Sequence, residues 1–173
     1  MKTLPRLSLL AALIATATFS GGAFAATASG TASATALTPI TITAGTALSF
    51  GSFATSAAAT AGTIMLTSAG TRTSSGGTVL SASGPGVVGT FAIGGTGNAT
   101  FAVTYPPAAT TLAGTTPGVT AVFGTTAGAG YGVGSAVLGG GTYLLNVGGI
   151  LTVPAAVTAG SYTAQYPVSV EYN

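Results

Sequence analysis

Glycine is the residue that most limits what this chain can fold into. It occurs 28 times in 173 residues, spread from Gly21 to Gly160. Each glycine inside a helix costs about 1 kcal/mol relative to alanine. The straight-chain helix formers that would offset this are scarce: Lys and Arg together number three, Asp and Glu together one, and Met two. Long helices are therefore excluded. Short runs of Val, Ile, Thr, Phe and Tyr fill the spaces between the glycines, and they alternate with a period of two. That period belongs to strands with one buried face.

The last twelve residues before Asn173 carry the clearest case. Tyr162, Ala164, Tyr166, Val168, Val170 and Tyr172 fall on one face, and Ser161, Thr163, Gln165, Pro167, Ser169 and Glu171 on the other. Pro167 has no N–H to give a ladder, so an edge position or a local irregularity is expected there. The same alternation predicts strands around Ile40 and Ile42, Leu48 to Phe53, Ile64 and Leu66, Val79 and Leu80, Phe91 and Ile93, Phe101 to Tyr105, Val119 to Phe123, and Tyr143 to Val153. Gly124 to Gly141 reads as a long loop with a short edge strand, and it lacks the strand-to-helix context and closing Lys-Ser/Thr of a phosphate cradle. Many short strands bounded by Gly, Pro and Ser predict an all-β, antiparallel β-sandwich or barrel.

The N-terminus predicts export. Lys2 and Arg6 precede an apolar run from Leu7 to Ala15, and Ala23-Phe24-Ala25 fits a small-x-small cleavage site. The run falls short of the roughly 20 residues that cross a bilayer. Residues 1–25 are thus expected to be a signal peptide, with no membrane span after its cleavage. Beyond it come an N-terminal extension, residues 26–37, and a single domain, residues 38–173. About 150 residues can bury roughly two thirds of their surface as one domain, so the absence of Cys leaves a core feasible without disulfides.

Past the leader the only charged side chains are Arg72 and Glu171, and there is no His, Cys, Asp or Trp. Acid–base catalysis needs a titratable group at the substrate, commonly His or a pair of carboxylates. Nucleophilic Ser or Thr needs an activating base. Metal sites need His, Cys or clustered carboxylates. The sequence is therefore not expected to be an enzyme or to hold a metal or cofactor. Without a basic patch, nucleic-acid binding is not expected either. Arg72 sits in the turn-like Gly70-Thr71-Arg72-Thr73. It pairs with Glu171, caps a cluster of carbonyls, or stands as a lone charge; the sequence leaves all three open.

In the extension, Ala26, Ala28, Gly30, Ala32, Ala34 and Ala36 alternate with Thr27, Ser29, Thr31, Ser33 and Thr35. Such a segment is either a loose tail or a detachable strand that completes the sheet of a neighbouring subunit.

Several loose motifs in a fixed order carry a resemblance. They run from Ile40-Thr41-Ile42 and Leu48-Ser49-Phe50-Gly51-Ser52-Phe53, through Gly62-Thr63-Ile64, Gly70-Thr71-Arg72 and Gly76-Gly77. They continue to Leu145-Asn146-Val147-Gly148, Leu151-Thr152-Val153, Gly160-Ser161-Tyr162-Thr163 and Val168-Ser169-Val170-Glu171-Tyr172-Asn173. In these the chain resembles the bacterial exported family called domain of unknown function 4402. That family looks like a relative of spore-coat-U-type proteins and chaperone–usher pilins. The penultimate Tyr172 and Gly160, fourteenth from the end, are similar to the pilin pattern.

The resemblance implies an immunoglobulin-like Greek-key sandwich, completed by a donor strand. It implies a groove lined by Gly160, Tyr162, Ala164, Tyr166, Val168, Val170 and Tyr172, and a donor strand of Ala26, Ala28, Gly30, Ala32, Ala34 and Ala36. Implied partners are identical subunits in a filament, a periplasmic chaperone and an outer-membrane usher. Pilins often carry a disulfide and larger donor-strand side chains; this chain has neither. The expected function is a structural subunit of an extracellular filament or surface coat. The alternative is a monomeric exported binding module, for instance for surface glycans.

Overall fold

A computed structural model describes residues 25–55, 60–124 and 134–173. The expected signal peptide up to residue 24, and Tyr131 and Val133 of the Gly-rich stretch, lie outside the described residues. The chain divides into two units, Met1–Thr35 and Ala36–Asn173. The described part of the first, residues 25–35, is exposed and holds no regular element. The second contains every strand.

The described residues contain strands and no helix. In chain order these are β1 Thr41–Ala44, β2 Phe53–Thr55, β3 Gly62–Leu66, β4 Arg72–Gly76, β5 Thr78–Leu80 and β6 Gly89–Gly94. They continue with β7 Thr100–Thr104, β8 Thr110–Thr111, β9 Thr120–Gly124, β10 Gly134–Val137, β11 Thr142–Val153 and β12 Ser169–Tyr172. Every ladder is antiparallel. The larger sheet runs β1-β6-β11-β3-β4, with β9 and β8 branching from β11; a second sheet runs β10-β7-β12, and β2 pairs with β5. The all-β, antiparallel expectation is met, and β10 is the short edge strand expected in the Gly-rich stretch.

The longest strand, β11, organises the larger sheet. From Thr142 to Val147 it pairs with β6, and from Gly148 onward it lies between β3 and β9. Its inward face keeps period two on either side of the central glycine pair: Leu145 and Val147, then Leu151 and Val153, are all buried. The glycine pair at its middle is required by close approach. A Cβ on Gly148 would overlap the carbonyl oxygen of Leu66, with the backbone of Thr67 and Ser68 within 3 Å.

The core joins both sheets. Phe101 and Val103 of β7 are buried in one cluster with Ile64 and Leu66 of β3, Ile93 of β6, and Ala121 and Phe123 of β9. The Phe101 ring meets Tyr143 of β11 edge-on at 5.3 Å. Two antiparallel layers around one apolar core is the arrangement expected of a β-sandwich.

Two strand expectations are corrected. The alternation over residues 161–172 holds in burial: Tyr162, Tyr166, Val168, Val170 and Tyr172 are half-buried between exposed neighbours. Only Ser169–Tyr172 is a strand, however, pairing with β7. Thr163 makes a single bridge to Ala113, and Ala164 is exposed. Pro167, which cannot donate, lies two residues before the ladder begins at Ser169. Likewise Leu48 to Phe50 forms no strand; Ser49 alone bridges to Val87.

Tyr172 latches β12 to the stretch just before β1. Its hydroxyl accepts from the Thr96 N–H at 2.7 Å and donates to the Thr38 carbonyl at 2.7 Å. The Thr38 N–H donates to Thr96 Oγ1 at 2.7 Å.

Candidate functional site

A groove of about 970 Å³ opens within the folded unit. One wall is Ala47 to Thr55, joined by Gly84 and Pro85; the other is Val157 to Ala164. Leu112, Phe123, Leu151 and Tyr166 form its apolar base.

Tyr166 anchors that base. Its ring stacks on Phe123 at 4.0 Å and 14°, and meets Phe91 edge-on at 6.1 Å. Burial raises its phenol above the usual tyrosine value. The neutral form is therefore favoured in the folded state. Its contribution to stability is intact below about pH 10, where an unfolded tyrosine ionises, and is lost as pH rises through the higher folded value. Denaturation midpoints measured from pH 8 to 12 should fall at the alkaline end, and less so in Tyr166→Phe. An equal fall in that variant would remove Tyr166 as the cause.

Tyr162 fixes the opposite wall. It donates to the Thr158 carbonyl at 2.7 Å, and its oxygen lies 2.9 Å from Thr115 Oγ1. The Thr115 and Thr116 hydrogen bonds lower its pKa. Gly114 leaves room for this ring, since a Cβ there would overlap it.

The sequence-predicted groove residues divide. Gly160, Tyr162, Ala164 and Tyr166 line the groove. Val168 lies beyond it, and Val170 and Tyr172 belong to β12, packed against the core. Among the described residues, the backbone from Ala164 to Val168 makes no hydrogen bond to another backbone group. Its carbonyls, and its N–H groups except at Pro167, thus have no backbone partner that an added strand would displace. Ala26, Ala28, Gly30, Ala32, Ala34 and Ala36 are exposed and lie in no strand.

Sequence reasoning missed the Ala47 to Thr55 wall as part of a site. The signal was Gly51, which interrupts the alternation of Leu48, Phe50 and Phe53. It adopts φ +76°, a left-handed value that favours glycine. Beside it, Arg72 settles into one of its three alternatives, the carbonyl cluster. Nη1 donates to the carbonyls of Gly84 at 2.6 Å, Phe50 at 3.0 Å and Ser52 at 3.3 Å, and Nη2 to that of Ser81 at 2.7 Å. Glu171 is exposed on β12, opposite Ala102 of β7.

The groove offers apolar contacts and backbone hydrogen-bonding groups, which suit an extended peptide. No curated protein and no solved structure matches this chain. The family model described as Domain of unknown function (DUF4402) matches residues 40–172, which include every strand and both walls of the groove, and the chain belongs to that family.

Proposed function

We propose that this protein is a structural subunit of an extracellular filament or surface coat. Residues 26–37 of one copy insert as a strand into the groove of the next. The single observation behind this is the open groove, lined by Ala164 and Tyr166, beside which the stretch from Ala164 to Val168 has backbone groups without backbone partners among the described residues. The same chain carries an exposed, alternating segment at residues 26–37 able to supply a strand. Added strands gain affinity from main-chain hydrogen bonds and specificity from alternate side chains.

A head-to-tail contact of this kind does not close on itself, so it propagates as a fibre. On this proposal the leader directs export, and a periplasmic chaperone covers the groove until an outer-membrane usher delivers the subunit. The fold would then be an immunoglobulin-like Greek key related to pilins and spore-coat-U-type proteins. The subunit performs no catalysis and needs no cofactor.

Negative-stain electron microscopy and light scattering of the purified exported chain test the proposal. Filaments of uniform width are expected. A protein that stays monomeric at high concentration would sink it and favour a monomeric exported module binding surface glycans.

A further inference from the structure

Arg72 is the only basic side chain after Arg6, and it is spent on backbone. Its acceptors belong to two separate loops: Phe50 and Ser52 on one, Ser81 and Gly84 on the other. Phe50, Ser52 and Gly84 are residues of the groove wall. Carbonyl oxygens that converge on one point repel each other unless a cation lies between them. Hydrogen bonds from an ionised donor are about twice as strong as neutral ones.

The surroundings are shaped to this side chain. Arg72 pairs across the ladder with Leu66, so its stem starts on the core side of β4. A Cβ on Gly86 would stand 3.1 Å from Arg72 Cδ and 2.9 Å from Leu66 Cδ1. A Cβ on Gly51 would overlap the guanidinium itself. Two glycines thus make room for one arginine, which a solvated surface charge would not require.

We propose that Arg72 is a positioning residue of the groove: it locks the Phe50–Ser52 wall to the Ser81–Gly84 loop in the shape that accepts an incoming strand. Its role in assembly rests on the strand-insertion reading above; its hold on the wall does not. The wall's own backbone bonds depend on it, among them Ser52 N–H to Gly84 at 2.9 Å and Ser81 N–H to Ser52 at 3.0 Å.

The test compares Arg72→Met and Arg72→Lys with the parent chain by amide exchange in dilute solution, and by filament yield. In Arg72→Met the amides of Ser52 and Ser81 should exchange at least about tenfold faster, because the charged hydrogen bonds that hold their acceptors are gone. The amides of Ile64 to Leu66 and Leu145 to Val147 should keep their protection. Filament yield should fall in step with the wall.

Arg72→Lys should lie between, since an ammonium keeps the charge but loses the fork that reaches two loops. If Arg72→Met does not fold, the Lys variant alone decides, by the same contrast between wall and core. Unchanged exchange at Ser52 and Ser81 overturns the proposal. A uniform loss across wall and core overturns it too, showing a merely structural arginine. If the parent chain forms no filaments, strand insertion fails, while the exchange contrast still decides the role of Arg72.

Discussion

A chain lacking residues 26–37 is expected to yield monomers and no filaments. The loss should be complete rather than graded, because every junction in a head-to-tail polymer uses the same segment. Twelve extended residues span up to about 40 Å, ample for a groove wall of the length of Val157 to Tyr166. Alanine, glycine, serine and threonine bury little apolar area, at roughly 25 cal/mol per Å². The junction must therefore depend on main-chain pairing more than on side-chain pockets. Substitutions that block pairing should then act almost as strongly as the deletion. Ala32→Pro removes an N–H in the middle of the segment, whereas Ala32→Val should be tolerated. Analytical ultracentrifugation and electron microscopy read both. Normal filaments from the deleted chain would refute strand insertion by this segment.

Gly148→Ala is expected to give the largest loss of stability of any single methyl group added to the described residues of β11. Its Cβ would enter the backbone of Leu66 to Ser68, which cannot rotate away as a side chain could. Overpacking typically costs 1–3 kcal/mol, and a clash with fixed backbone belongs at or above about 3 kcal/mol. That is a large share of the roughly 5–15 kcal/mol that holds a domain together. The damage also falls where one strand pairs with three others, so the sheet cannot yield locally. Gly139→Ala is the control. Nothing lies within 4 Å of a Cβ there, and it should change stability by under about 1 kcal/mol. Urea denaturation of both variants measures the difference; a Gly148→Ala midpoint equal to that of the control would contradict the close approach.

Much of the fold was legible because half-buried strands write their inner face into the sequence. Ile64 and Leu66, Leu145 and Val147, and Leu151 and Val153 alternate in the sequence and are buried in the structure. Between Tyr162 and Tyr172 the same signal said which side is buried but not whether a partner strand is present. Burial follows side chains, while a ladder needs a neighbour's backbone, and no one-dimensional pattern records that neighbour. The glycine pair in β11 carries no side chain to read, and it proved to be a place where the Leu66 to Ser68 backbone passes close. Arg72 stayed ambiguous for a similar reason: its acceptors are carbonyls, which every residue has. Of the residues from Gly160 to Tyr172 that the resemblance offered as a groove, Gly160, Tyr162, Ala164 and Tyr166 line the concavity, and the wall held by Arg72 was not among them.

The Tyr172 latch has a mechanical meaning. Tension applied through the residues before Thr38 enters the domain at a carbonyl that this phenol grips. The pull is shared at once between the β1–β6 ladder and β12, which is paired to β7 in the other sheet. Force that would peel a lone edge strand open, one bond at a time, is instead divided over two ladders. Stretching single molecules through the N-terminus would expose this as an early yield in a chain that has lost one hydroxyl oxygen.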